Sequence, residues 1–219
     1  MNLKLECLPA KIAVMDGENT DGDSMRLKAI LAVLIFMIPG CISSEEVINF
    51  NGRDLENSET YRFTLEANDG QLWSLDDQEG KTVVLLFMFT RCDETCPVIS
   101  ANIKWVKEQL TTEELEQVSF VSVTMDWRHD SPSELDNWST DLGYDWPHLT
   151  GTHSALNTTW TAYGVAPIEY DDDSDEGYDI AHQQPTYILD SNLMGRVVWS
   201  ETDWPVDLFL EDLRTVMAN

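Results

Sequence analysis

Val83-Val84-Leu85-Leu86-Phe87-Met88-Phe89-Thr90-Arg91-Cys92-Asp93-Glu94-Thr95-Cys96-Pro97 is the stretch on which the reading of this chain turns. Seven apolar residues in a row read as a buried strand, which leads into a turn holding two cysteines and then into a helix. A helix N-terminus offers free backbone N–H groups and partial positive charge, and both favour thiolate over thiol. Spacing of i, i+4 on the first helical turn puts both sulfurs on one face. The pair can then close a disulfide or clamp one soft metal ion. A disulfide here would close so short a loop that it would barely restrict the unfolded chain. The cysteines are therefore read as chemical rather than structural.

Around this stretch, 219 residues suffice for one domain with a proper core and some appendages. The net charge is −27, with only 13 Lys and Arg, which argues against a nucleic-acid partner and for a soluble monomer. Apolar content of 42 % with eight Trp argues against disorder. Of four cysteines, Cys7 and Cys41 precede the folded region, so no disulfide framework is expected.

Met25-Arg-Leu-Lys28 followed by the ten apolar residues Ala29 to Ile38 matches a signal peptide and is too short to span a bilayer. Ile38-Pro39-Gly40-Cys41 resembles a lipobox, which implies a lipoprotein-type signal over 25–40 and lipidation at Cys41. Residues 1–24 do not fit ahead of such a signal and are read as a spurious upstream extension. The expected location is extracytoplasmic, lipid-anchored to the outer face of the cytoplasmic membrane. Residues 41–59 are polar and patternless and read as a flexible tether, leaving 60–219 as the folded domain.

Within that domain, Tyr61–Leu65 and Gln71–Leu75 read as a hairpin around Asn68-Asp69-Gly70. After the strand over 82–89, Val98, Ile99, Ile103, Val106 and Leu110 share the spacing of one helical face. Val118–Thr124 is a second buried strand. Ser131-Pro132-Ser133-Glu134 is a capping box that starts a helix running to about Leu142. Ser154–Tyr163 reads as helix, Thr186–Asp190 and Arg196–Trp199 as strands, and Pro205 as the start of a last helix ending near Met217. This order is that of a thioredoxin-like α/β fold, a central mixed sheet flanked by helices, with an N-terminal β-hairpin extension. Glu169 to Asp179 carries seven acids in eleven residues and reads as a solvated loop.

Phe63-Thr-Leu65 with Asp69-Gly70, Phe89-Thr90-x-Cys92-x-x-x-Cys96-Pro97, Val121-Ser-Val-Thr124-x-Asp126 with Asp130-Ser-Pro132, and His182 ahead of Tyr187-Ile-Leu-Asp190 together resemble the Sco/SenC family of copper proteins. The resemblance covers the chain from about Phe63 onward. It implies that Cys92, Cys96 and His182 bind copper, as Cu(I) or Cu(II). It also implies a metallochaperone that delivers copper to the binuclear site of cytochrome c oxidase subunit II. Two thiolates with an imidazole suit Cu(I). The chain departs from the family in having Trp127 where a Pro is usual, and acids at positions 93 and 94. Gln184-Pro185-Thr186 looks like the segment that carries a cis-Pro in membrane-tethered thiol-disulfide oxidoreductases. That sustains an alternative in which Cys92 and Cys96 are a redox dithiol reducing the oxidase's copper-site cysteines. Asp126 could tune the sulfurs or help dock the client, whereas Asp130 reads as structural.

Overall fold

The computed structural model describes residues 48–93, 95–171, 177–200 and 204–219. The signal-like segment, Cys41 and the first 24 residues lie outside the described residues. The elements in chain order are β1 (Arg53–Ser58), β2 (Thr64–Ala67), β3 (Leu72–Ser74), β4 (Thr82–Met88), α1 (Cys96–Glu108), α2 (Thr112–Gln117), β5 (Val118–Thr124), α3 (Pro132–Leu142), β6 (His148–Thr150), α4 (His153–Ala162), β7 (Ile168–Asp171), β8 (Tyr178–Ala181), β9 (Thr186–Leu189), β10 (Gly195–Trp199) and α5 (Val206–Met217). Eight strands form one sheet in the order β1-β10-β9-β4-β5-β6-β2-β3, with β4, β5 and β6 parallel and the other pairings antiparallel. β7 and β8 form a separate two-stranded ribbon. This is the thioredoxin-like arrangement expected, with the β2–β3 hairpin as its N-terminal extension.

β4 is buried along its whole length, which is why it reads as an unbroken apolar run. Val83, Leu85 and Phe87 face one side, packed with Leu135 of α3 and Leu156 and Trp160 of α4. Val84 and Leu86 face the other, with Ile99, Ile103 and Val106 of α1 and Phe209, Leu213 and Val216 of α5. Each such side chain contributes about 1.5–3 kcal/mol on leaving water, so β4 is fixed in place from both layers. The residues that follow it leave the sheet from a rigid base. Val98, expected on the inner face of α1, is exposed instead. The turn from Cys96 sets the helical phase, and it carries Val98 to the solvent side.

Residues 53–58, expected within a flexible tether, form β1 and pair with β10. The buried carboxylate of Asp212 holds the strand's approach, accepting from the backbone N–H groups of Asn51 and Gly52 at 2.8 Å each. β1 is an edge strand, largely exposed, and Glu56 and Asn57 have positive φ. It therefore needs none of the alternation that would reveal a strand in sequence. α3 begins as expected, with Ser131 Oγ accepting from the Glu134 N–H and Pro132 in the first turn, and it stops at Gly143 with φ +68°. The flanks of the acidic stretch are strands β7 and β8 rather than loop.

Candidate metal centre

Cys92 and Cys96 do not share a helical turn as the spacing alone implied. The helix starts at Cys96, and Cys92 lies in the preceding turn. The turn folds back so that the Cys96 backbone N–H points at Cys92 Sγ, 3.4 Å away, and Thr95 Oγ1 lies 3.7 Å from the same sulfur. Cys96 is buried and Cys92 partly exposed, and both are free thiols. His182 follows β8, with its ring edge-on to Phe89 at 4.9 Å between centroids. Its Nδ1 lies 3.0 Å from the Ile180 carbonyl, so Nδ1 carries the proton and Nε2 keeps a lone pair toward the cysteines. The ligand atoms of Cys92, Cys96 and His182 all lie within 4.8 Å of one another. Cys92 and His182 border an open cleft of about 690 Å³, which Tyr170, Asp179 and Gln184 also line, and Cys96 lies buried behind them.

The two thiols are electrically unequal. The Cys92 thiol is held far below the ordinary range, first by the Cys96 S–H donating to it and then by the Cys96 N–H and Thr95, against the opposing effect of its partial burial. Cys96 is pushed up by burial and by the neighbouring Cys92 sulfur. The pair therefore shares one proton, with the charge on the accessible sulfur. Arg91, the neighbour of Cys92, is engaged with a buried acid. Its guanidinium is turned away to Asp126, with Nη2 at 2.7 Å and Nε at 3.1 Å from Oδ2.

Asp126 is fully buried and accepts several further hydrogen bonds. They come from the Tyr178 hydroxyl at 2.7 Å and from the N–H groups of Arg128 and His129 at 3.2 Å each. Tyr178 opens β8, and two guanidiniums lie over its ring, Arg91 at 4.5 Å and Arg128 at 3.9 Å. One carboxylate thus ties the residue before Cys92 to the strand before His182. Asp130, read as merely preceding a helix, is also fully buried. It accepts from the hydroxyls of Thr90 and Thr124 and from the Thr90 N–H. Its carboxyl is raised, chiefly by burial, against those hydrogen bonds. Both acids hold the Cys turn without touching a sulfur. Gln184 does touch the sulfurs, donating to Cys96 Sγ at 2.8 Å and to Cys92 Sγ at 3.4 Å. In the sequence it stood out only as the first residue of the Gln184-Pro185-Thr186 segment, two positions after His182. No peptide bond among the described residues is cis, so the Pro185 segment lacks the feature its likeness to the oxidoreductases suggested.

A family model described as SCO1/SenC matches residues 52–218. The chain belongs to that family. Among its relatives, an SCO1 protein homolog of Bacillus subtilis is 28 % identical over 128 residues, covering 57 % of this chain and 63 % of the relative. The match thus spans less than two thirds of that relative's length. The solution structure of apo Sco1 from Thermus thermophilus superposes with a TM-score of 0.68 at 24 % identity, over 77 % of this chain and 98 % of that one. Copper-bound ScoI of Bradyrhizobium japonicum gives 0.61 at 17 %, over 73 % and 99 %. Both share the fold. Among the described residues no helix is long and apolar enough to cross a membrane.

Proposed function

We propose that this SCO1/SenC protein binds one copper ion through Cys92, Cys96 and His182, and carries it outside the cytoplasm to the binuclear copper site of cytochrome c oxidase subunit II. The observation that carries this reading is the convergence of two sulfurs and an imidazole lone pair within 4.8 Å at an open cleft. Two soft sulfurs and one nitrogen suit Cu(I). The copper-bound Bradyrhizobium relative supports the choice of metal. The lowered Cys92 pKa favours its thiolate, which leaves the Cys96 proton as the main one for a metal to displace. The lipobox-like Cys41 would anchor the protein beside a membrane-bound client. Anaerobic titration of the full chain with Cu(I) and Cu(II) should saturate at one ion. Cys92→Ser or Cys96→Ser should abolish tight binding, and His182→Ala should weaken it and change the Cu(II) spectrum. A His182→Ala protein with wild-type affinity and spectrum would sink the three-ligand assignment.

The inequality of the two thiols favours a second reading, a thiol-disulfide reductase. Cys92 thiolate would attack a client disulfide and form a mixed disulfide, releasing one client thiolate. Cys96 would then lose its proton and attack Cys92 Sγ, freeing the second client thiolate and leaving Cys92–Cys96 oxidised. Two electrons pass to the client. The depressed pKa suits Cys92 to nucleophile and leaving group alike. In cells lacking the protein, excess copper restores oxidase activity if delivery dominates. A permeant reductant restores it if reduction dominates, and His182→Ala then stays active.

A further inference from the structure

Gln184 is only 6 % exposed, and its carboxamide touches all three candidate ligands. Its Nε2 is 2.8 Å from Cys96 Sγ, 3.4 Å from Cys92 Sγ and 2.5 Å from His182 Nε2. All three atoms are acceptors toward it, so the amide nitrogen with its partly positive hydrogens faces the electron pairs that would bind a cation. Metal–ligand bonds to sulfur and imidazole are about 2.0–2.3 Å. An ion held by atoms no more than 4.8 Å apart would therefore compete with that nitrogen for one space. The carboxamide has to move.

Clearing the space takes a shift about the inner side-chain torsions, and a turn about the terminal torsion, which is broad and roughly two-fold, decides which end of the amide then faces the ion. That turn exchanges nitrogen for oxygen at nearly constant volume. Oε1 is buried and has no hydrogen-bond partner among the described residues, so no bond of the oxygen is broken by turning. The group that swings toward the ion is then a carbonyl oxygen, an electron-pair donor. Cu(I) is content with two sulfurs and a nitrogen, whereas Cu(II) favours four or more donors that include nitrogen and oxygen.

We propose that the Gln184 amide nitrogen stands in the place of the metal, and that on Cu(II) binding the side chain turns to present Oε1 as a fourth donor. Gln184 thereby sets the preference between the two oxidation states. This rests on copper binding at Cys92, Cys96 and His182. The full-length wild type, Gln184→Leu and Gln184→Glu are to be compared by chelator competition for each ion, with electron paramagnetic resonance and visible spectra for Cu(II). Gln184→Leu should lower Cu(II) affinity about tenfold or more, the scale seen when a group supporting a metal site is lost. Its Cu(II) spectrum should change, while Cu(I) affinity stays the same or rises because a competitor has gone. A tenfold change in that ratio equals a rise of about 59 mV in the bound ion's potential. Gln184→Glu keeps an oxygen and adds charge, so it should bind Cu(II) more tightly than wild type. If Gln184→Leu keeps the wild-type Cu(II) spectrum and affinity, or shifts both ions equally, the inference is overturned while the three-ligand site stands. Should Gln184→Leu fail to fold by circular dichroism, Gln184→Glu decides, and indistinguishable Cu(II) binding by that variant overturns it. A wild type that binds neither ion overturns both readings.

Discussion

Tyr178 and Asp126 allow a test of how the ribbon bearing His182 is fastened to the turn bearing Cys92. Tyr178→Phe removes one hydroxyl and leaves the ring in contact with Arg91 and Arg128. A hydrogen bond to a charged group contributes about 1.5–3 kcal/mol. Asp126 keeps its other donors, so the loss belongs at the lower end, about 1.5 kcal/mol. Asp126→Ala takes the acceptor from Arg91 and Tyr178 together, at a site with no solvent exposure of the carboxylate. Breaking a buried pair in this way costs about 3–5 kcal/mol, a large share of the roughly 5–15 kcal/mol that holds a domain folded. The assay is a double-mutant cycle by urea unfolding, with tryptophan fluorescence and circular dichroism as independent probes. In the Asp126→Ala background, Tyr178→Phe should cost almost nothing, because the hydroxyl has lost its acceptor. If it costs the same about 1.5 kcal/mol in both backgrounds, the hydroxyl acts through something other than Asp126 and the fastening argument fails.

Three further outcomes are expected. Alkylation of Cys92, followed by peptide mass mapping, should stay fast from pH 7.5 to pH 5, because its folded pKa lies well below that window; an ordinary thiol slows about tenfold per pH unit there, and such slowing would refute the lowered pKa. Gly52→Ala should destabilise by about 1–3 kcal/mol in urea unfolding, the cost of overpacking, since an added Cβ meets Trp199 Nε1 at 2.5 Å and Val197 Cγ1 at 2.7 Å; a flexible tether at that position would leave stability unchanged. Mass spectrometry of protein from its native membrane should find a chain starting at a lipid-modified Cys41, and an intact, unmodified 25–40 segment would exclude the lipoprotein assignment.

What could be read from sequence was whatever local pattern records. β4 and β5 show as apolar runs because both faces of each are covered. α3 shows through Ser131, Pro132 and Glu134, and the last helix through Pro205. α2 was equally legible in principle, since Thr111 and Glu114 form a full capping box, but at six residues it carries little periodicity. β6, at three residues, is too short for any pattern, and β1 is too exposed to need one. The candidate ligands were legible because their chemistry is rare: two cysteines beside a turn, and a histidine at a family position. The parts that hold them were not. Arg91 with Asp126, Tyr178 with Asp126, and Gln184 with Cys96 meet only through the fold, across 35, 52 and 88 residues of chain. Nothing local marks such pairs.

The division of the candidate ligands between two parts of the fold bears on how a copper ion, once bound as proposed, would leave. Both sulfurs belong to the rigid base at the end of β4, while the imidazole sits at the root of a two-stranded ribbon outside the main sheet. If the ribbon lifts, one of three bonds is lost and the ion stays on two thiolates, a coordination Cu(I) accepts. An incoming donor can then fill the gap before either sulfur lets go. The proposed transfer would then be a stepwise exchange of partners, with no stage at which the ion is loose in water.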